Sequence, residues 1–376
     1  MLAGESSGDQ LGATILDGLS ALNISAHTWG IGGPSMMSKG FVPQYPMDKL
    51  TIMGLGEAIT SIPRLFRLAD TLIDMIVAER PDVVLTIDSK GFSFRFARRL
   101  KKRMAEVGWS VPVVHLVAPT VWAWGRWRAA TVAKSVDHLL CLFPFETPYF
   151  HDNRLKVTCV GHPAADRPWL DRASARELLG IEDKTPLLLL LPGSRRKEVD
   201  ALLPDMLIAA QTVREQIPSC RVLLPAADTV RSRINAMISQ TDGVEVISGQ
   251  DVGTALSAAN FGLICSGTVT LEAALAGMPG AVYYRGDALA HLLQPLLVQR
   301  ENIVLPNAIM GEEIYPLFLN KEFNSASMAA TALAGLRDVE KNQHKSRSLD
   351  LIKEIKAGAD SFGVAVADAL SASIRR

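Results

Sequence analysis

Leu187-Leu188-Leu189-Leu190-Leu191-Pro192-Gly193-Ser194-Arg195 is the stretch on which the fold turns. Five leucines without polar alternation are strand-sized, far short of the ~20 apolar residues that cross a bilayer. A strand of this kind is buried on both faces, as in a parallel sheet covered by helices. The Pro-Gly-Ser turn that ends it hands over to Arg195, whose rigid fork of donors suits phosphate oxygens. The glycine spacing and the Lys-Ser/Thr end of a Walker loop are absent. The same residues also fit a solvated, basic helix start.

Working outward, the pattern repeats. Arg221–Pro225, Val244–Ile247, Phe261–Cys265 and Ala281–Tyr284 read as further strands with helices between them. Upstream, Ala26–Trp29, Val83–Ile87, Val113–Val117, Val136–Phe143 and Val157–Val160 read the same way, around helices predicted over 72–79 and 92–107. The chain of 376 residues is long for one core. Pro163, Pro168 and the Asp-rich stretch near them mark a linker. Two α/β units follow, each a Rossmann-like, doubly wound parallel sheet, facing a cleft. The expected domains are 1–165 and 166–354, with a C-terminal helix over 355–376 packing back on the first. Met1-Leu2 runs straight into a small-residue loop, so the first strand of the first sheet is expected to be truncated and that sheet to lose a central element.

Composition narrows the function classes. Lys plus Arg and Asp plus Glu both number 39, which gives a nucleic-acid partner no support from bulk charge. Neither a signal peptide nor a spanning segment is evident. Cys141, Cys159, Cys220 and Cys265 are scattered, mostly inside apolar runs, and the histidines show no ligand spacing. Reduced thiols in a cytoplasmic-type compartment, with no structural metal, are expected.

Ligands of open α/β sheets sit beyond the carboxyl ends of the strands. Four groups stand there. Gly4-Glu5-Ser6-Ser7-Gly8-Asp9 lets backbone approach a ligand, with Glu5 and Ser7 able to bond sugar groups; a turn with Ser6 or Ser7 as helix cap is the alternative. Asp88, at the end of a buried strand, is placed to act as a general base on an acceptor hydroxyl, or to cap the next helix. Arg195 ends the leucine strand. Ser266-Gly267-Thr268 ends another strand and opens a helix, where backbone N–H groups and two hydroxyls would cradle a diphosphate. Glu272, one turn on, could bond ribose hydroxyls. An ordinary Thr N-cap followed by a helical Glu remains the other reading. No DxD motif marks a metal-dependent transferase.

These residues also carry a resemblance. Ala3–Asp9, Met53-Gly54-Leu55-Gly56-Glu57, Trp122-Ala123-Trp124 and Phe143-Pro144-Phe145-Glu146 resemble lipid-A-disaccharide synthases. So do Gly161-His162-Pro163, Leu191–Arg195, Ser266–Thr268 with Glu272, and Leu305-Pro306-Asn307. They occur in the family's order across nearly the whole chain. The resemblance implies a GT-B fold and an inverting, metal-independent hexosyltransferase that needs no cofactor. Its substrates would be UDP-diacylglucosamine and diacylglucosamine 1-phosphate, its products the β-1,6 lipid A disaccharide 1-phosphate and UDP. It implies Asp88 as base, with Glu5 and Ser7 in the catalytic loop. Arg195, Ser266, Gly267, Thr268, Glu272 and Asn307 would bind the UDP side. Peripheral attachment at the cytoplasmic face of the inner membrane is implied too, or an organellar site if a targeting segment has been removed. Oligomeric state stays open.

Ile62–Leu68 mixes apolar and basic residues at helical spacing, which suits either a membrane interface or an ordinary packed helix. Trp122, Trp124 and Trp127 pose the same choice between core or cleft wall and acyl contact. The rival readings are another GT-B UDP-sugar transferase or epimerase, and a non-catalytic UDP- or lipid-binding remnant.

Overall fold

The computed structural model describes residues 1–47, 55–122, 126–152, 154–238, 243–286, 303–337, 342–356 and 358–374. The chain forms two compact units, Met1–Asp166 with Glu354–Arg376, and Arg167–Lys353. Each is a parallel sheet with helices.

The first sheet comprises β1 (Leu2–Ala3), β2 (Trp29–Gly32), β3 (Val42–Pro46), β4 (Val84–Ile87), β5 (Val113–Leu116), β6 (His138–Cys141) and β7 (Lys156–Cys159). Their order is β3-β2-β1-β4-β5-β6-β7. The direction of winding reverses between β1 and β4. The expected loss of a central element is corrected here. Two residues hold that place: Leu2 pairs with Ile31 and Thr86, and Ala3 with Ile87. Both are almost fully buried, so neighbours on either side and apolar contact compensate for the strand's shortness.

β4, β5 and β6 are buried along their whole length, as their β-branched and leucine content requires. Leu72 and Ile76 of helix Leu55–Glu79, with Phe96 and Leu100 of helix Lys90–Glu106, join Val113 and Leu139 in one core. The C-terminal helix Phe362–Ile374 lies on helix Ser6–Ala21. His138 ties that helix to the sheet, with one ring nitrogen 2.9 Å from Ser373 Oγ and the other 2.8 Å from Thr158 Oγ1.

The second sheet comprises β8 (Leu187–Leu191), β9 (Arg221–Ala226), β10 (Val244–Ser248), β11 (Phe261–Cys265), β12 (Gly280–Tyr284) and β13 (Leu317–Leu319). Its order is β10-β9-β8-β11-β12-β13, reversing between β8 and β11. All five leucines of β8 are buried, and Leu188 and Leu190 pack with Val199, Leu203 and Met206 of helix Arg196–Gln216. A buried cation holds the entry to this unit. Arg176 donates to the carbonyls of Ala258, Glu182, Asp183 and Thr185 and to Asn260 Oδ1, whose oxygen also accepts from the Leu187 amide at 2.9 Å. Five such bonds satisfy a guanidinium that is 1% exposed. The four cysteines are free thiols.

Candidate active site

The reversal points are where open α/β sheets bind ligands, because the two neighbouring loops there diverge and leave a crevice. In the first unit, the β1 and β4 loops meet at that point. The register Ala3 to Ile87 sets Gly4 and Asp88 side by side at the carboxyl edge. A Cβ added at Gly8 would lie 3.5 Å from the Ile87 carbonyl oxygen, so the start of helix Ser6–Ala21 lies close against the end of β4. Glu5, not Ser6 or Ser7, occupies the N-cap of helix Ser6–Ala21, in extended backbone and without a side-chain cap bond. Glu5 and Ser7 are both exposed.

Asp88 is half-buried and has a left-handed backbone, φ 49°, followed by Ser89 at φ 46°. Two successive non-glycine residues in that region are costly and persist only where surroundings hold them. The Asp88 amide donates to Leu116 O at 3.0 Å, and its carbonyl accepts from Ser93 Oγ at 2.8 Å. Ser89, not Asp88, occupies the N-cap position of the next helix.

In the second unit, the β8 and β11 loops meet at the other reversal. Arg195 is the N-cap of helix Arg196–Gln216 and projects into solvent, its side chain 81% exposed. Its Nη1 lies 2.7 Å from Glu198 Oε1, while Glu198 Oε2 accepts from the amides of Ser194 and Arg195 at 3.2 Å. Gly193, at φ 108°, permits this turn; a Cβ there would lie 2.4 Å from the Glu198 carboxylate. Thr268 caps helix Val269–Leu275 without a side-chain bond, so the Thr N-cap bond of the alternative reading is not formed. Thr270 Oγ1 instead donates to Gly267 O at 2.7 Å, and Ser266 Oγ to Ile303 O at 3.0 Å. Glu272 faces Arg167 at 3.6 Å. Burial raises its carboxyl above the usual range, and the Arg167 charge pulls the other way. Asn307 sits in helix Leu305–Met310 and holds a loop: Oδ1 accepts from the Ile314 and Tyr315 amides at 3.0 Å, and Nδ2 donates to Tyr315 O at 2.8 Å.

Residues 1–364 match the family model described as lipid-A-disaccharide synthetase. The chain belongs to the lipid-A-disaccharide synthase family. Two relatives of that name are the Alcanivorax borkumensis protein, 35% identical over 99% of this chain and 97% of its own, and the Paraburkholderia xenovorans protein, 36% identical over 90% and 87%. Among solved structures, the UDP-GlcNAc 2-epimerase of Neisseria meningitidis bound to UDP-GlcNAc is similar with a TM-score of 0.59 at 13% identity, over 98% of this chain and 97% of its own. The glycosyltransferase of kitacinnamycin gives 0.59 at 15%, over 97% and 95%. At these identities the structural likeness shows the fold, GT-B. The sequence relatives show the family, and with it a glycosyltransferase of lipid A biosynthesis.

For this lipid-A-disaccharide synthase family member, three of the sequence motifs converge in the first unit. Glu146 of the Phe-Pro-Phe-Glu motif is buried and accepts from Trp122 Nε1 at 3.2 Å and from the Leu142 and Phe143 amides at 3.1 Å. Trp122 meets Phe145 edge-on at 5.3 Å, and Phe143 stacks on His162 at 5.3 Å. This settles Trp122 as core. Trp127 is 68% exposed. Trp124 and the Met53-Gly54 pair lie outside the described residues. Burial lowers His162 to about 4, so the ring is neutral and accepts from the Ala164 amide at 3.1 Å.

Two carboxylates were missed by sequence reasoning. Asp9, in the loop motif itself, is 2% exposed and accepts from the amides of Gly33, Ser35 and Met36 at 2.8, 2.9 and 3.0 Å. Glu198 organises the Arg195 turn. Its position three residues after the cap was the available signal, the spacing of a capping box.

Proposed function

We propose that the chain transfers a diacylglucosamine unit from its UDP derivative to diacylglucosamine 1-phosphate, forming the β-1,6 disaccharide and UDP. The observation that carries this reading is the placement of each candidate set at the reversal point of its own sheet, Glu5, Ser7 and Asp88 at β1/β4 and Arg195 with Ser266–Thr268 at β8/β11. Family membership supplies the substrates.

Asp88 takes the proton of the acceptor 6-hydroxyl as that oxygen attacks the anomeric carbon of the donor. The new carbon–oxygen bond forms as the bond to the diphosphate oxygen breaks, and the configuration inverts. The electron pair leaves on UDP. Arg195 and the N–H groups entering helix Val269–Leu275 stabilise that charge without a metal or cofactor. Arg195 is largely exposed, so its pairing with Glu198 is weak enough for phosphate to displace the carboxylate. Glu272 accepts from the ribose hydroxyls, and Asn307 holds the loop beside the nucleotide. Glu5 and Ser7 bind the acceptor sugar.

No helix among the described residues is long and apolar enough to cross a membrane. A peripheral contact at the cytoplasmic face suits the acylated substrates. Within Ile62–Leu68, Phe66 and Arg67 face outward while Leu68 is buried. The neighbouring helix exposes Arg95, Arg98, Arg99, Lys102 and Arg103. This surface would meet anionic lipid.

The test is disaccharide formation from the two purified lipid substrates in detergent micelles. Asp88→Asn is expected to lower kcat by roughly 10²- to 10⁴-fold while UDP binding persists. Full turnover by that variant would remove Asp88 from the role of base.

A further inference from the structure

Glu272 is met by a cation that no sequence motif marked. Arg167 belongs to the same unit, and its Nη1 lies 3.6 Å from Glu272 Oε2. Two further contacts, both independent of Glu272, locate the guanidinium. It lies over the Trp169 ring, 5.0 Å from the centroid. It also fills space left by Gly253, where a Cβ would come within 2.1 Å of Nη2. Helix Val252–Ala258 thus presents a glycine to the arginine at the point of approach.

We propose that Arg167 is a positioning residue for nucleotide recognition, aiming the Glu272 carboxylate at the ribose of the UDP donor. The proposal rests on the reading of Glu272 as the ribose contact. A carboxylate that accepts from two neighbouring hydroxyls must be ionised and held in one orientation. Burial opposes the first condition, and Arg167 offsets part of that opposition. The second follows from geometry, since the ring and the glycine fix the cation that Glu272 faces. Both side chains are partly exposed, 44% for Arg167 and 32% for Glu272, so the pair itself adds little to folding stability. Its work is orientation.

The experiment measures UDP affinity by calorimetry and steady-state kinetics with donor and acceptor varied separately. Arg167→Ala is expected to raise the donor KM and the UDP Kd together, by roughly five- to tenfold, leaving the acceptor KM unchanged. Arg167→Lys recovers part of the loss, because it keeps the charge but not the fork. Gly253→Ala is the variant that keeps the fold. Its methyl displaces only the flexible end of Arg167, and alanine favours a helix over glycine. It reproduces the donor defect with a Tm no lower than that of the parent. Arg167→Ala added to Glu272→Gln weakens UDP binding no further than Glu272→Gln alone.

Unchanged UDP affinity in Glu272→Gln overturns the reading of Glu272, and the proposal with it. Weakened binding in Glu272→Gln with normal binding in Arg167→Ala and Gly253→Ala overturns the role of Arg167 alone. Additive losses in the double variant show Arg167 acting directly on the nucleotide, which overturns positioning.

Discussion

Asp9 stands two residues from Ser7, and its carboxylate holds backbone by accepting from three amides. Burial alone would raise its pKa, but the amides of Met36, Ser35 and Gly33 outweigh that and hold it below the ordinary value. A depressed native pKa means that its stabilisation is complete above the ordinary Asp pKa and is lost as the pH falls through the native one. Asp9→Ala removes the acceptor of three amide donors. Unfolding in urea at neutral pH is expected to show a loss of about 2–3 kcal/mol, with a smaller difference from the parent in acid. An undiminished difference at low pH would show that the charge is not the source. Glu146 and Arg176 are of the same kind: each is polar and buried, and each satisfies backbone groups that no helix or strand ladder reaches.

Elements meet where small residues let them. Helices Ser6–Ala21 and Phe362–Ile374 cross at a glycine pair. A Cβ on Gly18 would lie 2.1 Å from Gly363 backbone, and one on Gly363 would lie 2.3 Å from Thr14 O. Backbone cannot step aside as a side-chain end can. An exposed helical Gly→Ala change normally stabilises by up to about 1 kcal/mol. Here the sign reverses: Gly363→Ala is expected to lower stability by about 1–3 kcal/mol, measured by thermal or urea unfolding. An unchanged or raised Tm would mean that the two helices do not pack this closely. The same comparison with Gly253, whose neighbour is the tip of a flexible arginine, shows why one glycine guards the fold and the other a side-chain position.

On the scale of the whole chain, charges balance at 39 against 39, but they are not evenly spread. Helix Lys90–Glu106 carries seven Lys and Arg against one Glu, with part of its charge taken up by Asp70, Asp74 and Asp137. An interface with anionic lipid through this surface would be electrostatic and short in range. Binding to vesicles containing phosphatidylglycerol is expected to fall steeply as salt is raised from 0.1 to 1 M, over which the screening length shrinks from ~10 to ~3 Å. The variant Arg95→Glu with Arg98→Glu should lose vesicle binding while keeping UDP affinity. Equal binding to neutral and anionic vesicles, unaffected by salt, would remove this surface from the role.

Much of this was legible in residue order. Strands buried on both faces announce themselves by unbroken apolar runs, so β8 and β11 were read to the residue. β3 and β13 were not, because edge strands are short or exposed. Val42–Pro46 carries two prolines, which an edge tolerates, and Leu317–Leu319 is three residues long. The Gly-Glu-Ser-Ser-Gly-Asp and Pro-Gly-Ser-Arg loops were legible as candidate sites because turns and their polar residues are local in sequence. Tertiary structure alone decided three things. It set which strands are neighbours, and so which loops share a reversal point. It divided the carboxylates among organising turns, holding backbone and standing at a reversal point. It brought Arg167 to Glu272 across more than a hundred residues of chain. Local order determines periodicity and turn type, whereas pairing, burial and charge contact depend on distances in space that sequence spacing does not encode.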